Sequence, residues 1–220
     1  MAQGDRVQSE AEVAAVYDST ADLYADLFPS TEPEQPIDLA MVAQFVAQLP
    51  ADQREVLDAG CGAGRMLPVL AAAGCRPVGV DLSAEMIRRA RQDHAEFPTR
   101  VGSLTALPYP DGSFDGVFSW YSTIHLPDER LSDAFGEIRR VLRPGGQALV
   151  AFQTGDGVRD VAHGIRRRGI DAVLLRHHRS PSHVARMLRD HAFDETARLV
   201  RGPVPPEVDG QAVLIARATP

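Results

Sequence analysis

The chain contains no lysine: all 23 of its basic residues are arginine. A phosphate loop of the Walker type needs a lysine on the β- and γ-phosphates, and Schiff-base catalysis needs a lysine amine, so both classes are excluded. The arginine bias reads as the mark of a GC-rich genome. Cysteine is nearly absent too. Cys61 and Cys75 are too few for a disulfide framework or a four-ligand zinc site, and they read as small buried residues near a turn. Nowhere do about eighteen uncharged apolar residues run together. The opening MAQGDRVQSEAEV lacks the basic-then-apolar order of a signal peptide. These absences lead to the expectation of a soluble, cytoplasmic protein with no membrane partner.

What is present is enough apolar material for a sizeable core: 220 residues, 44% hydrophobic, best read as a single domain. The formal charge of −7 is unevenly spread. Residues 1–58 carry twelve Asp or Glu against Arg6 and Arg54, whereas 159–189 hold eight arginines against Asp160 and Asp171. Phosphate neutralisation requires a basic surface, so an acidic chain of this kind is not expected to bind nucleic acid.

Periodicity gives strands alternating with helices after an N-terminal helical lead. EAEVAAVYDSTADLYADLF (10–28) has helical spacing with a break expected near Ser19 and Thr20, and IDLAMVAQFVAQL (37–49) is an amphipathic helix. REVLDAG then reads as a buried strand, RMLPVLAAAG as a helix ended by Gly74, RPVGVDL as a strand, and Ser83 as the N-cap of AEMIRRARQDH. TRVGS and FDGVFSW follow as strands, DERLSDAFGEIRRVL as a helix stopped by RPGG, and QALVAF as a fifth strand. Past a basic, irregular stretch, Ser180-Pro181 opens a helix. DETARLV and QAVLIARA close the chain as two strands of a long hairpin. Such alternation predicts an α/β, doubly wound sheet with ligands at the carboxyl ends of its strands.

The stretch VLDAGCGAGR turns that fold into a site. A dinucleotide fingerprint has the register G-x-G-x-x-G, but here the third glycine falls one residue early at Gly64 and Arg65 occupies the sixth position. The carboxylate of Asp81, in GVDLS at the end of the next strand, can accept hydrogen bonds from both hydroxyls of a ribose; a helix-capping role is the alternative.

DAGCGAGR, GVDLS, LPYPDGSFDGVFS and LRPGG, in that order and spacing, resemble a class I S-adenosylmethionine-dependent methyltransferase of the small-molecule type, strongly over 50–155 and loosely beyond. The resemblance implies a Rossmann-like seven-stranded sheet, mostly parallel with an antiparallel last strand and helices on both faces. It divides 1–220 into an N-terminal helical cap (1–50), a cofactor-binding core (51–152), a substrate lid region and helix (153–190) and a C-terminal strand pair (191–220). The cofactor implied is S-adenosylmethionine, with S-adenosylhomocysteine as product. Asp58, Gly60 and Gly62 would line its methionine half, with Cys61 and Arg65 of the same turn beside them. Asp81 would take the ribose, and Leu82 and Met86 would pack beside the adenine. Where the family usually has an acidic residue for the adenine amino group, this chain has Ser103, followed by Leu104. Ser119 and Trp120 would lie near the methionine carboxyl and amino groups, and Tyr17 and Tyr24 would cover the cofactor. Trp120 and Tyr121 read equally as core or lid aromatics; a ring face near the sulfonium would attract it by roughly 0.5–2 kcal/mol.

Methyl transfer asks mainly that a nucleophile be held in line with the methyl carbon. For an alcohol or phenol a base helps, and an imidazole titrating near neutrality suits that task, which makes His125 in SWYSTIHLPDE the catalytic candidate; a loop histidine bonded to nearby backbone is the other reading. Within the basic stretch, Arg176, His177, His178 and Arg179 can recognise a carboxylate or phosphate, or form a solvated face or a dimer contact. His177, His178 and His183 lack a supporting carboxylate or cysteine at ligand spacing, so no metal is expected. The expected activity is methyl transfer to an oxygen or nitrogen of a small-molecule acceptor by a monomer or homodimer. A nicotinamide-dependent oxidoreductase and a non-catalytic cofactor-binding regulatory protein are the alternatives.

Overall fold

A computed structural model describes residues 7–52 and 54–219. The first six positions of the expected cap (with Arg6), Gln53 and Pro220 lie outside the described residues. Helix α1 spans Glu10–Leu27. Ser9 caps it by accepting from the Glu12 N–H while the Glu12 carboxylate takes the Ser9 N–H, a reciprocal box that satisfies two orphan donors. The expected break near Ser19 does not occur. The hydroxyls of Ser19 and Thr20 both donate to the Val16 carbonyl at 2.8 Å, which absorbs them into a continuous helix.

Helix α2 (Pro36–Ala47) precedes β1 (Glu55–Ala59), α3 (Leu67–Ala72), β2 (Arg76–Asp81), α4 (Ala84–Asp93), β3 (Thr99–Val101) and β4 (Phe114–Trp120). Then come α5 (Asp128–Val141), β5 (Leu142–Gln153), β6 (Val158–Asp160), α6 (His163–Arg166), β7 (Leu175–His177), α7 (Pro181–Asp190), β8 (Phe193–Arg201) and β9 (Gln211–Ala218). The seven-stranded sheet has the order β3-β2-β1-β4-β5-β9-β8. Neighbours from β3 to β5 pair in parallel, and β9, the last strand, runs antiparallel to both β5 and β8. The fold is therefore the doubly wound, mostly parallel sheet expected.

Strand period explains why both faces are covered. Val56, Phe118, Leu149 and Val213 pack with Phe45, Val46 and Leu70 of α2 and α3. Their chain neighbours Leu57, Val117, Val150 and Leu214 pack on the other face with Leu131, Phe135 and Ile138 of α5 and Leu188 of α7. Ser83 and Ser180 cap α4 and α7 as expected, accepting from the Met86 and His183 N–H groups.

Two expectations are corrected. The helix does stop before RPGG, since α5 ends at Val141, but the strand expected at QALVAF begins earlier: β5 starts at Leu142 and runs through RPGG with a register shift against β4 between Phe114 and Gly116. The basic stretch is not irregular, because β6 and β7, in the region expected to form the lid, pair antiparallel as a small second sheet. Val13 and Val16 of α1 pack against Ala162, Ala172 and Leu174 of that lid, so the cap and the lid meet above the strand ends.

Candidate active site

A cavity of about 660 Å³ lies at the carboxyl ends of β1, β2 and β4, roofed by α1 and the lid. Its floor is the glycine turn. The N–H groups of Gly60 and Cys61 both donate to the Val80 carbonyl, at 2.8 and 2.9 Å, which ties the turn to β2. Gly60 has φ +82°, and a Cβ there would stand 2.2 Å from the Ser122 Cβ. Gly62, at φ +53°, would direct a Cβ into open space, with nothing within 4 Å. One glycine is thus required by the protein's own packing, and the other leaves room beside the turn.

Asp81 joins this turn to α4: its carboxylate accepts from the Gly62 N–H at 2.8 Å and the Ser83 N–H at 2.9 Å. Burial pushes its carboxyl above the ordinary range while those backbone bonds hold it down. Asp58 is different. It is 1% exposed, lines the cavity, and its Oδ2 has no hydrogen-bond partner among the described residues. Burial, and then the nearby Asp81 charge, push its carboxyl up to about 8 despite the opposing Arg65. An orphaned buried acceptor of this kind calls for a donor, best a cationic one. Arg65 also lines the cavity, but its guanidinium is committed to Glu34 at 2.6 Å. Cys61 lies in the wall yet is 7% exposed, its thiol pushed up by burial, the small buried residue of a turn.

Helix α1 covers this floor because an acidic stripe spaced four apart faces α4. Asp18 accepts from the Ser83 hydroxyl at 2.6 Å, and Asp22 and Asp26 pair with Arg88 and Arg89 at 2.6 and 2.8 Å. That docking brings Tyr17 and Tyr24 into the wall, edge to face at 6.3 Å, with Leu82 and Met86 beside them. The Tyr17 hydroxyl lies 2.8 Å from His125 Nε2, and His125 Nδ1 lies 2.6 Å from the Leu175 carbonyl. A carbonyl only accepts, so Nδ1 carries the imidazole hydrogen and Tyr17 donates to Nε2. Burial lowers the His125 pKa to about 4, with the Arg176 and His177 charges reinforcing it against the Leu175 bond. Burial also raises the Tyr17 phenol well above its ordinary value. The catalytic candidate is therefore a neutral imidazole with both nitrogens engaged.

Ser103 and Leu104 line the cavity, and Ser103 carries a surprise. Its hydroxyl donates to Glu10 Oε2 at 2.9 Å, while Thr105 donates to Glu10 Oε1 at 2.8 Å. A carboxylate of α1, 93 residues away in sequence, therefore stands against position 103, and Glu10 itself lines the cavity. Nothing in the local sequence signals this; only the docking of α1 does. Ser119 does not reach the cavity. It is fully buried and bonds at 2.7 Å to Ser122, whose hydroxyl donates to the Ala59 carbonyl. Tyr121, at φ +57°, turns the chain after β4 so that Ser122 takes the wall position. Trp120 does line the cavity, stacked on Phe118 at 5.4 Å with Tyr121 on its edge. Of the basic run, Arg176 lines the cavity, whereas Arg179 is buried on Asp128 and the Leu126 carbonyl. Among the described residues no group of three or more His, Cys, Asp or Glu could hold a metal, and no helix is long and apolar enough to cross a membrane.

Residues 56–146 match a family model described as a methyltransferase domain. The likeness to that family is confined to these residues, less than half of the chain. Over 132 residues it is 35% identical to a malonyl-[acyl-carrier protein] O-methyltransferase of Erwinia pyrifoliae, a match covering 58% of this chain and 48% of the relative. The chain thus spans about half the length of such curated relatives, or less, and others bear C-methyltransferase names. Among solved structures, the Burkholderia thailandensis 1,6-didemethyltoxoflavin-N1-methyltransferase, with its substrate and S-adenosylhomocysteine bound, superposes with a TM-score of 0.72 at 21% identity, covering 98% of this chain and 92% of that one. The [4+2]-cyclase SpnF superposes at 0.68 and 18% identity over 99% of both chains. The fold is thus shared by proteins of different chemistry, and the site has to carry the assignment.

Proposed function

We propose that this chain is an S-adenosylmethionine-dependent methyltransferase that transfers a methyl group to an oxygen or nitrogen of a small molecule. The observation that carries this reading is the unpartnered, buried carboxylate oxygen of Asp58 beside a glycine turn, one strand away from Asp81. The cofactor has an ammonium for Asp58, ribose hydroxyls for the remaining lone pairs of Asp81, and an adenine amino group for Glu10 at Ser103; Gly62 leaves its backbone open to close approach. When bound, it supplies a methyl group on a positively charged sulfur.

The protein's own part is orientation and exclusion of water. Tyr17, Tyr24 and Met86 close over the cofactor side. His125 takes the Tyr17 hydroxyl and gives its own N–H to the lid, which makes it a positioning residue that fastens cap to lid. A neutral imidazole with a pKa of about 4 and both nitrogens occupied is a poor proton acceptor. The acceptor therefore brings a lone pair that is ready to react, as a carboxylate oxygen or a neutral amine does. Methyl transfer to a carbon acceptor would leave a carbon-bound proton that needs a base to remove it, which favours oxygen or nitrogen here.

The test is incubation with S-adenosylmethionine labelled in its methyl group and a panel of carboxylic acids, amines and phenols, with label in product and S-adenosylhomocysteine both counted. Stoichiometric formation of the two supports the reading. A protein that binds S-adenosylhomocysteine yet labels no acceptor is a binding protein, and the proposal fails.

A further inference from the structure

We propose that the acceptor end of the cavity selects a carboxylate, held by Arg176 of the lid with the indole N–H of Trp120 as a second donor. This deepens the methyl-transfer reading and rests on it for the acceptor's role. Three arginines line the cavity with resolved ion-pair partners, and they differ in how far their charge is spent. Arg65 is paired with Glu34 at 2.6 Å, and Arg130 with Asp133 at 2.6 Å and Glu10 at 3.2 Å. Arg176 reaches a carboxylate only at 3.4 Å, and that carboxylate, Asp209, already holds Arg159 at 2.6 Å and His178 at 3.0 Å. The Nε of Arg176 is buried with no hydrogen-bond partner among the described residues.

Trp120 supplies the independent observation. It is 6% exposed and lines the same cavity, and its Nε1 is buried without a partner. Its ring lies within 6° of parallel to Phe118 and edge-on to Tyr121, so it is fixed in place. Two buried, unpartnered N–H donors on side chains that line one cavity, one of them charged, are the complement of an anion with two oxygens.

The lid strand is placed firmly enough for recognition. Immediately before Arg176, the Leu175 carbonyl takes the His125 N–H and the Leu175 N–H donates to Gln8 at 2.9 Å. With one loosely held guanidinium and one neutral donor, the wall matches a singly charged planar carboxylate better than a doubly charged phosphate. If that carboxylate is also the nucleophile, its oxygen lone pair forms the new bond to the methyl carbon and the carbon–sulfur pair stays on sulfur as a neutral thioether. No proton moves, in keeping with the engaged His125.

Trp120 is the chain's single tryptophan, so its emission reports this wall directly. The protein, saturated with S-adenosylhomocysteine, is titrated with benzoate, benzamide and phenyl phosphate while that emission is read. Calorimetry with S-adenosylhomocysteine alone reads the cofactor assignment, so its failure is seen apart from that of the carboxylate. Benzoate is expected to bind about tenfold or more tightly than either of the others. Arg176→Gln should cost benzoate about tenfold while leaving S-adenosylhomocysteine within about twofold, and Arg176→Lys should lie between. Arg159→Gln disturbs the same Asp209 without a place in the cavity wall and should leave benzoate nearly unchanged. Equal binding of benzamide, tighter binding of phenyl phosphate, or an equal effect of the Arg159 and Arg176 variants each overturns the proposal.

Discussion

Replacing Asp58 by Asn tests the electrostatics of the site in both directions. In the free protein the Asp58 carboxyl, buried and near Asp81, is pushed up to about 8 and is protonated at neutral pH. An ammonium in contact lowers a carboxyl pKa by about 1–3 units, so cofactor binding forces Asp58 to release a proton. Each unit is worth about 1.36 kcal/mol, and with half of Asp58 already ionised at pH 8 the Kd for S-adenosylhomocysteine should therefore rise about 5- to 50-fold from pH 8 to pH 6. Calorimetry across that range measures it, with 5′-methylthioadenosine, which lacks the amino-acid half, as a control that stays flat. Asp58→Asn should bind weakly with no such slope. Stability moves the other way. A carboxyl whose folded pKa lies above its unfolded value of about 3.9 makes the native state progressively less stable as pH rises from there to the folded pKa. The cofactor-free Asn variant should accordingly melt above the wild type at pH 8, by several degrees. A Kd unchanged between pH 6 and 8, or a slope that survives in the variant, would refute the reasoning.

His125 has the opposite sign. With a pKa lowered to about 4, it stays neutral while the unfolded chain protonates near 6.5, so stability is lost as pH falls through that window, by about 3 kcal/mol in full; thermal melts of wild type and His125→Gln between pH 4 and 7 check this. Because a general base contributes about 10²–10⁴ in rate, a loss of kcat in His125→Gln smaller than about tenfold is expected, and a loss above a hundredfold would restore the catalytic reading. Gly60→Ala collides with Ser122 at a positive φ and should lower Tm by roughly 6–12 °C, for about 3 kcal/mol. Gly62→Ala should cost only about 1 kcal/mol in a melt yet abolish cofactor binding, since its methyl enters open space. Glu10→Ala should weaken S-adenosylhomocysteine about tenfold by equilibrium binding, and an unchanged Kd would remove Glu10 from the site.

The parts of this site written in short, contiguous stretches were legible in the sequence. Asp58 lies near the end of one strand with Gly60 and Gly62 just past it, and Asp81 ends its parallel neighbour, so strand pairing alone brings them together. Ser83 and Ser180 were legible as caps because capping is decided within four residues. What long-range docking decides was not. Glu10 reaches Ser103 only because the Asp18, Asp22 and Asp26 stripe seats α1 on α4. Ser122 replaces Ser119 in the wall through one left-handed residue, Tyr121, that no local pattern announces. The lid strands are three residues each, too short to show alternation, and the basic run hides that Arg179 and His178 face inward partners while Arg176 faces the cavity.

The central claim, that the cavity is built for S-adenosylmethionine, is tested most directly by calorimetric titration with S-adenosylhomocysteine and, separately, with NADH, on wild type and Asp81→Ala. Micromolar binding of S-adenosylhomocysteine, weakened about tenfold or more in the variant and unmatched by NADH, is the expected result. Binding of NADH in its place, or of neither compound, contradicts the account.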